Sequence, residues 1–194
     1  MPQVLDHTSI PAWALEPTVQ SVDARAAQCT ILSYDAARVA GEWGSSLDAQ
    51  GVRHRVLPFT PAGSFAAGSQ RERDVALAEE RRTLAVEVER AVVGWRLLIA
   101  GALADVLRVR ALALQSGLMD AEIVIGTTSV KVIPVTCAHC EATTVTQAAA
   151  AQVITCGGCQ LPLLVHHHVS RLKGAFLGYK NDAEVSVSDS EGPR

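Results

Sequence analysis

Aromatic residues are scarce in this chain: Phe, Trp and Tyr together make up 4% of its 194 residues. A core must therefore be built from Val, Leu, Ile and Ala. There is also little from which to make the base-stacking platforms of single-strand nucleic-acid binders. An excess of one charge is lacking too. The formal net charge is −3, which supplies no field to draw in a polyanion. Long apolar runs are missing: the longest, "LLIAGALA" from Leu97 to Ala104, is far short of the roughly 20 residues that span a bilayer. The opening "MPQVLDHTSIPAWALEP" has an early acidic residue and no basic start leading into an apolar stretch, so it does not read as a secretory leader. These absences set the expectation of a cytoplasmic protein with neither membrane nor nucleic acid as partner.

Catalytic signatures are absent as well. No G-x-G-x-x-G follows the first strand-like run, and no G-x-x-x-x-G-K-[ST] appears, so a phosphate-cradling loop is not indicated. "TPAGSFAAGS" (60–69) is rich in small residues but leads into no adjacent helix start; it reads as a loop. No Ser/His/Asp set or carboxylate pair stands out. The expectation is no catalytic residue and no organic cofactor site on this chain.

What is present is an alternation. "CTILSYD" (Cys29–Asp35) is β-rich, "AARVAGEWGSSLDAQG" is helical up to a capping Gly51, and "VRHRVLPF" (Val52–Phe59) is again strand-like. A long charged helix follows, with Leu77, Leu84, Val88 and Ala91 at three-, four- and seven-residue steps. "GWRLLIAG" (Gly94–Gly101) reads as a buried strand, "ALADVLRVRALALQSG" as an amphipathic helix stopped by Gly117, and "AEIVIGT" (Ala121–Thr127) as a strand. Strand and helix in strict turn predict an α/β fold, a small, mostly parallel sheet with flanking helices. The pattern then changes to short β runs around cysteines. The expected organisation is an N-terminal arm (1–28), a small α/β domain (29–130), a cysteine-bearing ribbon (131–182) and a polar tail (183–194).

Four of the five cysteines lie in "CAHCEATTVTQAAAAQVITCGGC" (137–159). Each pair, Cys137/Cys140 and Cys156/Cys159, is spaced Cys-x-x-Cys, a loop that turns two sulfurs toward one ion. Two such knuckles facing each other complete a tetrahedron. "TTVTQ", "QVIT" and "PLLVHHHVS" read as the strands of a zinc ribbon. A redox dithiol needs only one pair, opening a helix after a strand; neither pair has that setting. Disulfides are disfavoured in a reducing compartment. Iron binds the same four sulfurs, but the aromatic, acidic shell of rubredoxin-like sites is lacking here, so zinc is the expectation. Four thiolates leave no open position for water, which makes the ion structural. Lys131, Arg171 and Lys173 are the candidates to offset the site's negative charge. Cys29, outside this set, reads as a small buried hydrophobe.

In "HHHVSRLKGAFLGY" (His166–Tyr179), His166 and His168 share one strand face and His167 takes the other with Val165 and Val169. Spacing favours polar residues on a ribbon face over a second metal site. "GAFLGY" reads equally as a tight bend or a partner-contacting surface. Arg171 and Lys173, beside Ser170, make a small basic point; on the residues alone a solvated ribbon edge is favoured over docking of a carboxylate or phosphate.

The two knuckles followed by His168, Ser170, Arg171, Gly174, Ala175, Gly178 and "DAE" at Asp182–Glu184 resemble the small, cysteine-bearing subunit of bacterial dimethylamine monooxygenase, a DmmA-like family. "GWRLLIAG…LQSGLMDAEIVI" upstream resembles the matching part of that family. It is also similar to the last strand–helix–strand unit of ferredoxin-reductase-type domains. Glu141 stands where a glycine often follows the knuckle, and Ala102–Leu103 stand where reductases carry Gly-Pro. The α/β layer thus resembles a degenerate reductase fold used as a docking body. The resemblance implies an accessory subunit, itself without catalytic residues, of a hetero-oligomeric, haem-dependent oxidoreductase that converts dimethylamine, O2 and NADPH to methylamine and formaldehyde. Haem, flavin and iron–sulfur cluster would sit on partners, a haem-containing catalytic subunit and a flavin/ferredoxin-type reductase. His168, Ser170 and Arg171 would form the docking edge. A rubredoxin-like electron carrier, or a free-standing ribbon that binds nucleic acid or protein, are the alternatives.

Overall fold

The computed structural model describes residues 9–23, 25–61 and 70–181. The first eight residues of the arm, most of the loop after Phe59, the "DAE" motif and the polar tail lie outside the described residues. Four parallel strands, β1 (Gln28–Tyr34), β2 (Arg53–Phe59), β3 (Trp95–Ala102) and β4 (Ile123–Ser129), form one sheet in the order β2-β1-β3-β4. The helices are α1 (Ala37–Ala49), α2 (Gln70–Glu89) and α3 (Leu103–Gln115). The predicted α/β class is what the chain adopts. β1 and β3 are buried on both faces, as strands between covered layers must be, and their sequences are accordingly near-continuous apolar runs. β2, at the edge, alternates instead.

Sheet growth reverses after β2, so the crossover helices fall on opposite faces. α1 lays Val39, Ala40, Trp43 and Leu47 over Ile31, Leu98 and Val124, a stripe at helical spacing. On the other face, Val106, Val109 and Ala113 of α3 and Leu84 of α2 pack on Leu32, Leu97 and Ile99. Gly51 and Gly117, expected to stop helices, follow α1 and α3 with φ of 68° and 96°.

Helix α2 differs from its sequence reading. Leu84 is buried and Val88 partly so, but Ala91 lies beyond the helix and is exposed. The inward face instead carries two glutamates, Glu80 and Glu87, 4% and 3% exposed. Tyr34 Oη donates to Glu80 at 2.8 Å and Thr30 Oγ1 to Glu87 at 2.7 Å. Arg108 pairs with Glu80 and Arg55 with Glu87. Two hydroxyls of β1 thus meet two carboxylates one heptad apart, and α2 is tied to the sheet by ions as much as by apolar surface.

A second sheet follows: β5 (Ile133–Cys137), β6 (Thr143–Thr146), β7 (Val153–Thr155), β8 (Pro162–Ser170) and β9 (Ala175–Lys180), in the order β6-β5-β9-β8-β7. The sequence indicated three of these strands. β9 corrects the reading of "GAFLGY": the segment is the central strand, with Ala175 and Phe176 buried. A tight bend does precede it, at Gly174, where φ is 61° and a Cβ would lie 2.5 Å from the Leu107 carbonyl oxygen.

That approach shows where the two sheets meet. α3 lies between them, turning Leu103 and Leu107 toward Val135, Val165, Val169 and Phe176 of the second sheet. The described part of the arm ties both sheets. Ser9 N donates to His167 O on β8. Further along, Thr127 N donates to Thr18 O at 2.8 Å and Gln20 N to Ile125 O at 2.9 Å, which covers the outer edge of β4. Among the described residues no helix is long and apolar enough to cross a membrane.

Candidate metal centre

Each Cys-x-x-Cys loop closes a hairpin. Thr136 pairs with Thr143 across β5 and β6, and Thr155 with Pro162 across β7 and β8, with one knuckle at each turn. The two turns repeat one another bond for bond. Cys137 N donates to Ala142 O and Cys156 N to Leu161 O, both at 2.9 Å. Glu141 N donates to Cys137 O at 3.0 Å, and Gln160 N to Cys156 O at 3.1 Å. His139 N points at Cys137 Sγ and Gly158 N at Cys156 Sγ, each at 3.4 Å. Amides directed at sulfur favour the thiolate a metal requires.

The four sulfurs converge. Cys137 Sγ and Cys159 Sγ are 3.8 Å apart, Cys140 Sγ and Cys156 Sγ 3.6 Å, and all four lie within 4.8 Å of one another. A tetrahedron with metal–sulfur bonds of about 2.3 Å has edges of about 3.8 Å. A disulfide needs about 2.05 Å between sulfurs, and all five cysteines are free thiols. The donor set therefore fits a four-coordinate ion. Cys137 and Cys156 are buried against Leu163, with Ile154 and Leu161 around them, while Cys140 reaches the surface. Hydrogen bonds from the amides of Cys159 and Gly158, aided by neighbouring thiols, bring Cys156 down to about 6. Cys159 is pushed up to about 12: the Leu161 amide works to lower it, but burial and the other three sulfurs outweigh that amide.

Of the cations expected near the cluster, Lys173 reaches the knuckle, with Nζ 3.0 Å from Glu141 Oε1. Arg171 turns instead to Asp120, at 3.2 Å, and Lys131 is in the link before β5. Among the described residues no other group of three or more His, Cys, Asp or Glu side chains is placed to share an ion. The histidine run is no exception. His166 packs edge-on against Tyr179 at 5.5 Å, and His168 Nδ1 is hydrogen-bonded to Ser9 Oγ. Val165 and Val169, an even number of residues apart, share the buried face of β8, with a register shift against β9 between them. Cys29 is fully buried, and burial pushes its thiol up to about 11.

The three residues assigned to docking line one cleft of about 520 Å³: His168, Ser170 and Arg171, together with Ser9, Pro11, Arg110, Val169 and Leu172. Sequence reading missed Ser9 and Arg110, because the cleft is assembled from three segments far apart in the chain. Arg110 faces inward on a helix whose period marks that position as buried, the one signal available.

No curated protein and no solved structure matches the chain. A family model does match over residues 134–179, "Dimethylamine monooxygenase subunit DmmA-like, C-terminal domain". It spans β5 to β9 but leaves out the upstream stretch from residue 94, whose resemblance rests on sequence alone. Both knuckles and most of the second sheet fall inside it, so the cysteine-bearing segment 134–179 is similar to the DmmA-like C-terminal domain.

Proposed function

We propose that the chain is an accessory subunit of a multi-component, haem-dependent dimethylamine monooxygenase. The observation that carries this reading is the family match over residues 134–179, the segment in which four sulfurs converge. The cysteines hold one zinc ion, whose part is to fix the turns of a segment (131–182) too small to order itself without a metal. The α/β portion (29–130) serves as the body on which that segment is mounted. Catalysis belongs to partner subunits that carry haem, flavin and an iron–sulfur cluster, and the assembly works in the cytoplasm. This chain holds them in register through the ribbon and the His168–Arg171 edge.

The test is coexpression with the neighbouring genes, copurification and metal analysis. One zinc per chain and stoichiometric recovery with a haem protein and a reductase are expected. Cys137→Ser or Cys159→Ser should lose the metal and release the partners; assembly retained without metal would end the reading. A second reading rests on Cys140. An all-sulfur site with one ligand at the surface also has the donors of a rubredoxin-like electron carrier, and a red protein holding one iron would replace the first reading with that one.

A further inference from the structure

The cleft beside the ribbon has a chemistry of its own. One wall is Arg110, whose side chain is 9% exposed and whose guanidinium lies over the Trp13 ring, 5.6 Å from its centroid. Arg110 pairs with one oxygen of Asp120 and Arg171 with the other. One carboxylate thus serves two guanidiniums, and a positive charge is left over. Arg171 is 65% exposed and faces solvent at the mouth. The hydrogen-bonded Ser9–His168 pair lines the same cleft. The lip is apolar: Pro11, Val169 and Leu172, the last exposed.

A buried, pre-oriented guanidinium, an exposed one at the mouth and an apolar lip complement a carboxylate carried next to an apolar group. Asp120 already shows how a carboxylate spans the two arginines. Phosphate would find one surplus charge and no use for the lip. We infer that this cleft binds an acidic side chain, Asp or Glu, flanked by apolar residues on a partner polypeptide, with Arg110 and Arg171 as the anion-binding pair and Asp120 as the internal occupant it competes with. The inference rests on the docking reading above and names what is docked.

The experiment uses the full, metal-loaded chain and a capped peptide, acetyl-Ala-Leu-Glu-Leu-Ala-amide. Its Gln counterpart, the uncapped-C-terminus form of the Gln peptide, and inorganic phosphate are the comparison probes. Binding is read from amide NMR shifts of Val169 to Leu172. The Glu peptide should bind with a dissociation constant of about 1 mM or tighter, and the capped Gln peptide at least about tenfold more weakly. Arg171→Ala should weaken the Glu peptide by a similar factor at unchanged metal content. Asp120→Asn, which removes the competitor, should tighten it several-fold, a gain that a merely structural role for Asp120 does not produce. Equal binding of the two capped peptides overturns the inference. So does preference for phosphate or for a free C-terminus, or an Asp120→Asn chain that binds no better. The docking reading fails separately, if Arg171→Ala copurifies with its partners undiminished while the Glu peptide still discriminates.

Discussion

Glu141 and Gln160 hold the same place in two copies of one turn. Their φ angles are 60° and 62°, and each donates its amide to the carbonyl of the first cysteine of its knuckle. That left-handed conformation costs an ordinary residue about 1 kcal/mol or more, which is why glycine suits the position after a knuckle. Gln160→Gly is therefore expected to raise stability by roughly 0.5–1 kcal/mol once glycine's own entropy is subtracted. Gln160→Val should lower it, since a β-branched residue tolerates positive φ least. Thermal unfolding of the metal-loaded protein checks both signs. Glu141→Gly should gain less, because its exposed contact with Lys173 is lost.

The glycines of "CGGC" differ in what surrounds them. A Cβ on Gly158 would lie 2.6 Å from Ala142 Cβ and 3.0 Å from Cys140 Sγ, whereas on Gly157 the nearest atom, Thr144 Oγ1, is 3.4 Å away. Gly158→Ala thus drives one knuckle into the other and should cost about 1–3 kcal/mol, with weakened metal retention under chelator challenge. Gly157→Ala should retain its metal like the parent. Metal content after dialysis against a chelator, measured side by side, separates the two.

What could be read from the sequence follows from how local each feature is. The knuckles were legible because their spacing alone aims the sulfurs, and the parallel sheet because β1 and β3 are apolar throughout while the helices keep their period. β9 was missed because its glycines suggest a bend. Gly178 in fact sits where strands close in, a Cβ there lying 2.9 Å from Val135 Cγ1 and 3.1 Å from a Leu163 methyl. Glu80 and Glu87 were missed because an apolar count skips glutamate, and their partners Tyr34, Thr30, Arg108 and Arg55 come from other elements. The arm's place depends on main-chain bonds to β4 and on the side chains of Ser9, Trp13 and Gln20, which meet His168, Arg110 and Ile125 without any period in the sequence to announce it.

Arg108 is the cation between α2 and α3. It pairs with Glu80, donates to Asp105 Oδ1 at 2.9 Å and lies over the Tyr34 ring. Burial works against its charge, yet Glu80 and then Asp105 outweigh that and hold its pKa above the ordinary arginine value. Arg108→Leu leaves two carboxylates buried together without their cation and should cost about 3 kcal/mol or more in urea unfolding. The double variant Arg108→Leu/Glu80→Leu should recover part of that loss, since Glu80 no longer lies buried without its cation, whereas Asp105 still loses Arg108. If the double variant is less stable than Arg108→Leu alone, Glu80 holds α2 through its hydrogen bond from Tyr34 rather than through the ion pair.

Cys29 gives a pH dependence whose sign can be worked through. Its thiol stands at about 11 when folded, raised first by burial, against an ordinary value of 9.0. Below pH 9 the thiol is neutral in both states and contributes no slope. Between 9 and 11 the unfolded chain releases this proton and the folded chain keeps it, so stability falls as pH rises through that window. Cys29→Ala should flatten the fall in chemical denaturation at pH 8, 9.5 and 10.5, at a uniform cost from the lost sulfur. Other groups titrate there too, so the quantity that decides is the difference in slope between variant and parent. A slope that Cys29→Ala leaves unchanged would mean the thiol meets solvent in the native state, and an alkylating reagent should then modify it in the folded, metal-loaded protein.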